Sequence, residues 1–519
     1  MKKRLVVLFC FALLNSKAQD IKVTLSDEFA MKNSSNLFKD VFSDDLYKIG
    51  NFYYRKEIIN AGAHLGYTAK LRDGLHGLTF YKYDDKMKEI SSQKLEGGNK
   101  VFGPLGDKFI PFDHRLLLLY YKYGTDDSVR LFVSDIDSNS LSILNSKEIY
   151  AYYQRNLGFF GLIANSTNPE AHKLHCSISP DSSKLLVQTI GNTGEIFTIV
   201  IEKGMNLGKE IKSVLPENKE SEINDICIDN LGNRYVSYGF KTSKRDRYFI
   251  RGVLIQNVNG KESAVNIPAN DETAHPKGLL FCSSKLNSKV NVYADYEGEH
   301  MCEGVLMSSI DALGLKIKPL TIYPYPEDFK KRIYQLDFGD RSRGDYSVIP
   351  INYSFNELDN GTTALTGVPI LTLHGEKYSK SFGGPIIVAF IKNDKCTFSM
   401  IPRNQHFSEA SSCIATGYKN NLICIYTDKD KNINAELSDN ISDGGKISEL
   451  KLAVAVMNSD GTIVSRKKIG DDPIGSNYYF LDDYQKVSSK HIIFSIGRER
   501  VSLVNAYTEK VQMVDLEIK

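Results

Sequence analysis

Asp428, Asp430, Asn432, Asn434 and Glu436 place oxygen-bearing side chains at alternate positions, a pattern that suits a hard cation such as calcium. Ile433 stands where the tight turn of an EF-hand loop needs glycine, so Asp428, Asp430 and Asn432 are weak metal candidates. His172 and His175 form an H-x-x-H, but zinc needs a third ligand and supporting hydrogen bonds, and both read as ordinary loop and strand histidines. Adjacent aspartates recur at Asp44-Asp45, Asp84-Asp85, Asp126-Asp127, Asp471-Asp472 and Asp482-Asp483. Neighbours on an extended strand point to opposite faces, whereas paired acid–base work needs convergence, so these are turn-forming residues. Neither a G-x-S-x-G elbow, an H-E-x-x-H pair nor a phosphate-cradling glycine loop occurs. No catalytic residue is nominated, and no cofactor is implied.

Eight cysteines are present. Cys10 lies in an N-terminal segment expected to be removed, leaving Cys176, Cys227, Cys282, Cys302, Cys396, Cys413 and Cys424, an odd set. Most sit among apolar neighbours, where a thiol behaves as a small hydrophobe. Cys413 and Cys424 share one expected hairpin and are the best-placed pair for a disulfide.

The elements that must position any site are strands. An apolar strand, a short polar turn and a second strand closing on Ile or Leu recur about eight times, at 78–95, 130–144, 196–215, 248–267, 304–322, 385–401, 451–469 and 500–518. Asn259-Gly260 and Asp460-Gly461 supply the positive φ of tight turns. A second signature, a polar turn entering an apolar strand, precedes several hairpins, at 179–187, 229–236, 419–424 and 488–493. Together they give about four strands per unit, the content of a propeller blade. Such a sheet cannot bury both apolar faces alone, so blades must stack around an axis. The expectation is an all-β chain: a single β-propeller of seven or eight four-stranded blades over 19–519, with a blade insertion near 356–384. The stretch 156–169 reads as a connecting loop.

Ser179-Pro180-Asp181-x-x-Lys184-Leu185-Leu186-Val187 resembles the blade motif of TolB-like (PD40-type) propellers. The unit pattern, including the Gly-Gly-x-Ile-Ile-Val strand at 383–388 and Ile-Pro-x-x-Gln at 401–405, is similar to uncharacterised exported bacterial proteins of about this length. The resemblance concerns scaffold and brings no catalytic residues; function does not follow from such a fold.

Composition sets boundaries on partners. The chain is 42% apolar and 25% charged, and 65 basic against 63 acidic residues leave a net charge of +2, with no overall field to draw nucleic acid or an anionic surface. Tryptophan is absent, which argues against tryptophan-docked, WD40 and sialidase-type blades. The 29 Tyr and 26 Phe residues still provide flat faces for stacking. Lys2, Lys3 and Arg4 precede an apolar run from Leu5 to Leu14, too short to span a bilayer, followed by small residues up to Ala18. Residues 1–18 therefore read as a cleavable signal peptide, giving a periplasmic or extracellular monomer. The expected function is binding of a peptide, glycan or partner protein, and the alternative is a polysaccharide hydrolase or lyase with acidic residues converging at the propeller mouth.

Overall fold

The computed structural model describes residues 21–518 apart from 27–28, 34–45, 61–75, 96–106, 124–127, 154–173, 191–194, 216–220, 241–249, 267–274, 277, 298–301, 332–345, 375–378, 404–412, 434–449, 470–477, 487–490 and 504–505. The expected signal peptide at 1–18 and the 156–169 stretch therefore lie outside the described residues, as do His172, Asn434, Glu436 and the pairs at 44–45, 126–127 and 471–472. The described chain forms eight antiparallel sheets in sequence order, an eight-bladed β-propeller with almost no helix.

Blade 1 runs Leu46–Ile49, Phe52–Asn60, His76–Tyr83 and Glu89–Leu95; blade 2 runs Asp107–Phe112, Arg115–Tyr123, Ser128–Ile136 and Ile143–Tyr153. Blade 3 starts with Leu174–Ile178, Lys184–Ile190 and Glu195–Glu202, and its fourth strand comes in two pieces, Asn206–Leu207 and Ile211–Val214. Blade 4 is Ser221–Ile228, Arg234–Phe240, Ile250–Gln256 and Glu262–Asn266. In blade 5 both edge strands are broken around the central pair Lys289–Glu297 and Cys302–Asp311. Blade 7 is Cys413–Tyr418, Asn421–Lys429, Leu450–Asn458 and Ile463–Lys468.

Seven of the eight repeated hairpins are the third and fourth strands of blades 1 to 7. The eighth differs: His491–Leu503 and Ala506–Ile518 are the second and third strands of blade 8, outside the first strand Tyr478–Lys486. Its outer positions are filled from the other end of the chain by Ile21–Leu25 and Phe29–Asn33, which pair with Ala506–Ile518. The ring is thus closed by strand pairing between residues nearly five hundred positions apart.

Second strands are buried beyond their first residues, and Arg234–Phe240 along its whole length, because blades cover them on both faces. Each seam between neighbouring blades has its own apolar cluster, and the eight clusters run around the whole ring. At the blade 2–3 seam the rings of Tyr150 and Phe197 stack at 3.9 Å.

In blade 6, residues 356–384 hold the turn 358–362 and the whole of Thr363–His374, which pairs with Tyr346–Glu357. The expected insertion is an extension of that pair: beyond residue 368 the partner is Ser379–Gly383, while Thr363 to Gly367 pair with Ile386–Lys392.

Cys227, Cys396, Cys413 and Cys424 are free thiols. Cys413 lies opposite Tyr426 and Cys424 opposite Ala415, so the register offsets the two diagonally on one hairpin. The neighbouring Cys413 thiol, and then burial, push the Cys424 thiol well above its ordinary pKa, which makes it a poor nucleophile. Adding reductant is expected to leave the denaturant midpoint unchanged. A lost disulfide costs about 2–5 kcal/mol, so a clear fall in midpoint would reveal a structural cysteine pair.

Candidate functional site

Turns joining first to second strands, and third to fourth strands, emerge on the same face of the ring because every pairing is antiparallel. Their backbones close on themselves and on the next blade. Asp113 Oδ2 of blade 2 accepts from Gly204 N of blade 3 at 2.9 Å. Asn233 of blade 4 donates to Ala312 O of blade 5 at 3.0 Å, and Glu357 of blade 6 accepts from Ser284 Oγ and Lys285 N of blade 5 at 2.6 and 2.7 Å. Asn360 Nδ2 reaches Ser459 Oγ in blade 7 at 2.9 Å. Ser179 and Asp181 serve this purpose too: Ser179 Oγ accepts from Lys184 N at 3.0 Å, and Asp181 N donates to Asn230 Oδ1 at 3.0 Å.

A pocket of about 720 Å³ opens on this face where blades 1, 2 and 3 meet. Buried Phe109, Phe112 and Leu185 form its floor, and half-exposed Tyr47, Ile49 and Pro111 its walls. Lys108, His114 and Lys203 stand exposed among its lining residues. The Asp113-His114 turn has φ of 52° and 59°, a hairpin turn of the primed type, which carries His114 outward. Asp113 is the one acid among the described lining residues, and its carboxylate is already occupied by Gly204 N. Lys108 and Lys203 outnumber Asp113 over an apolar base, so the lining keeps a small excess of positive charge although the whole chain is nearly neutral.

Lys48 lines the same pocket and is fixed from behind. Its Nζ lies 2.7 Å from Asp515 Oδ2 and 2.9 Å from the Tyr53 hydroxyl, and Tyr53 also donates to Asp515. His491 Nδ1 lies 3.2 Å from the other Asp515 oxygen. Burial, reinforced by the hydrogen bond to Asp515, raises the Tyr53 phenol far above its ordinary pKa and keeps it a neutral donor. Asp515 and His491 belong to blade 8, so this cluster ties one wall of the pocket to the seam where the chain closes.

Of the metal candidates, the structure brings Asp428 and Asn432 together and turns Asp430 outward, with Lys468 Nζ 3.9 Å away. Asn432 Nδ2 and Lys429 N donate to Asp428 Oδ1 at 2.9 and 2.8 Å, while Oδ2 meets no donor among the described residues. No group of three or more His, Cys, Asp or Glu side chains placed to hold a metal occurs among the described residues. Asp84 forms its turn by accepting from Lys86 N and Lys88 N at 2.9 and 2.8 Å.

Two carboxyls were not anticipated as buried. Burial raises Asp428 to about 6, offset in part by its hydrogen bonds and by the Arg403 and Arg466 charges. Burial likewise raises Asp225 to about 6, against donation from Phe281 N and Ile226 N. Asp225 links the first strands of blades 4 and 5, as Asn356 links those of blades 6 and 7 through Gly417 N at 2.9 Å. A carboxyl with a raised folded pKa stabilises the fold fully below its unfolded value near 3.9, and that contribution is lost as pH rises through about 6. Asp428→Asn cannot ionise, so stability of this variant relative to the parent should climb by roughly 2 kcal/mol between pH 4 and pH 7. Parallel stability curves for the two proteins would contradict a raised Asp428.

No family model and no curated protein matches the sequence. Among solved structures the chain is similar to a polysaccharide lyase at 12% identity, covering 81% of this chain and 93% of that one, with a TM-score of 0.44. It is also similar to the WD40 domain of SCAP from fission yeast, at 11% identity with 96% and 98% covered and a TM-score of 0.39. A puromycin hydrolase is a third likeness, at 7% identity with 89% and 59% covered and a TM-score of 0.35.

Proposed function

We propose that this propeller is a binding protein whose pocket at blades 1 to 3 seats a short acidic glycan. The observation that carries this reading is the placement of exposed Lys108, Lys203 and His114 around one pocket of about 720 Å³ with apolar walls. That volume lies in the range of pockets that enclose small ligands. Carboxylate or sulfate groups on a sugar chain would meet the ammonium groups, and the half-exposed Tyr47 ring offers a flat face for an apolar sugar face. The TolB-like motif at 179–187 fits a scaffold role, since its polar residues build a turn.

The protein is proposed to act as an exported monomer in the periplasm or medium, with residues 1–18 removed. N-terminal sequencing of the exported product should begin near Gln19, and a start at Met1 would refute the processing.

A panel of immobilised acidic glycans, their neutral counterparts and acidic peptides tests the ligand class. Retention on acidic glycans alone is expected. Retention on acidic peptides alone would replace the glycan as ligand. Shortening of a bound polysaccharide, read by gel filtration, would favour the hydrolase or lyase instead.

A further inference from the structure

The turns on the pocket face can be compared with one another, because the blades repeat their hydrogen bonding. Asp84, Asn257 and Asn458 each begin a turn whose first N–H bonds the carbonyl four residues on and whose fourth N–H returns to the first carbonyl; Leu358 and Asp229 begin the same turn. Its second position holds Asp85, Ser459 and Asp359 in blades 1, 7 and 6, but Val258 in blade 4. Its third holds Lys86, Asp460 and Asn360, but Leu231 in blade 4.

The longer turns behave alike. Asp137 and Asp311 both accept from the N–H four residues on, at 2.8 and 2.7 Å, and the place of Asn139 in blade 2 is taken by Leu313 in blade 5. Ser179 and Ser284 each donate a backbone N–H to the carbonyl of a lysine five residues on, and the place of Asp181 in blade 3 is taken by Leu286 in blade 5. The fold therefore accepts polar residues at all four positions, and turn chemistry favours them.

Blades 4 and 5 nonetheless expose Leu231, Val258, Leu286 and Leu313 by 46%, 58%, 56% and 74%. The four turns are neighbours: Val258 N donates to Asn233 Oδ1, Asn233 Nδ2 donates to Ala312 O, and Ala312 N donates to Ser288 O. Lys261, Lys285, Lys289, Lys316 and Lys318 are exposed on and beside the same turns. Of the acids there, Asp229 is buried with Asn233 and Tyr235, Asp311 accepts from Leu313 N and Gly314 N, Glu357 accepts from Ser284 Oγ and Lys285 N, and Glu262 accepts from Ser213 Oγ and Gln256 Nε2, so the five lysines outnumber the acids beside them.

We infer that these turns dock the protein on an anionic lipid surface, with the four apolar tips entering the headgroup boundary and the lysines meeting lipid phosphates. Peripheral attachment takes two signals, apolar insertion and a basic collar, and the patch has both. A lipid surface also accepts separate tips without a matching shape.

The test is flotation of the full processed chain with vesicles of phosphatidylcholine alone or with about one-third phosphatidylglycerol. Binding to the anionic vesicles should be at least about tenfold stronger and weaken with salt. The variants Val258→Ser and Leu313→Asn use residues that the same turns carry in blades 7 and 2, so they should fold as the parent does. Together they should lower vesicle binding at least about tenfold. Absence of vesicle binding, equal binding to both vesicles, or unchanged binding by the folded double variant would overturn the proposal. So would a protein captured from host extract by the parent and lost by the variant, if vesicles are not bound.

Discussion

Deleting residues 21–25 should collapse the cooperative unfolding of the whole ring. This strand pairs with Val514 to Ile518 through five residue positions, and Ile21 and Val23 pack on the cluster between blades 7 and 8. At about 1 kcal/mol per ladder hydrogen bond plus partial burial of two β-branched side chains, the loss is roughly 5–8 kcal/mol. Folded chains hold only about 5–15 kcal/mol in total, so the truncated protein should be largely unfolded or unfold at far lower denaturant. A synthetic peptide of residues 21–33 should recover part of the midpoint by refilling the open edge. An unchanged midpoint would mean that the ring does not depend on this closure.

Asp515→Ala should cost about 3–5 kcal/mol, the usual penalty for leaving one partner of a buried charged cluster behind. Asp515 is buried and serves Lys48, Tyr53 and His491 together, and Lys48 is itself mostly covered. Replacing the group as a whole, with Lys48→Met, Tyr53→Phe and Asp515→Leu, should restore much of the stability, because an apolar group of similar volume leaves no orphaned charge. Equal stability of Asp515→Ala and parent would show that the cluster contributes nothing to the seam.

What the sequence made legible was local. Alternating strands and polar turns identified the repeated hairpins, and Gly260 and Gly461 do take the positive φ their turns require. The four turn-to-strand signatures at 179–187, 229–236, 419–424 and 488–493 lie at junctions of first and second strands. Closure was not legible, since the final hairpin looks like the others in sequence and only its pairing with residues 21–33 distinguishes it. The pocket was hidden for the same reason: Lys48, Lys108 and Lys203 come from three blades, and Lys48 is held by a residue 467 positions away. The spaced oxygens from Asp428 to Asn432 run into a helical turn, where Asp428 is drawn inward and Asp430 outward, a separation that their alternate spacing did not reveal. One signal was present and unread: Val258 and Leu313 sit where turn chemistry calls for polar residues.

Acidic-glycan binding at the pocket is proposed to depend on Lys108 and Lys203. Calorimetric titration of an acidic oligosaccharide into the parent, Lys108→Glu/Lys203→Glu and the distant control Lys395→Glu tests it most directly. All three lysines are exposed, so folding should be unaffected. Binding to parent and control is expected, with roughly 100-fold weaker binding to the double variant, about tenfold for each reversed charge. Equal affinity of the double variant and parent, or equal affinity of the parent for a neutral oligosaccharide of the same length, would contradict it.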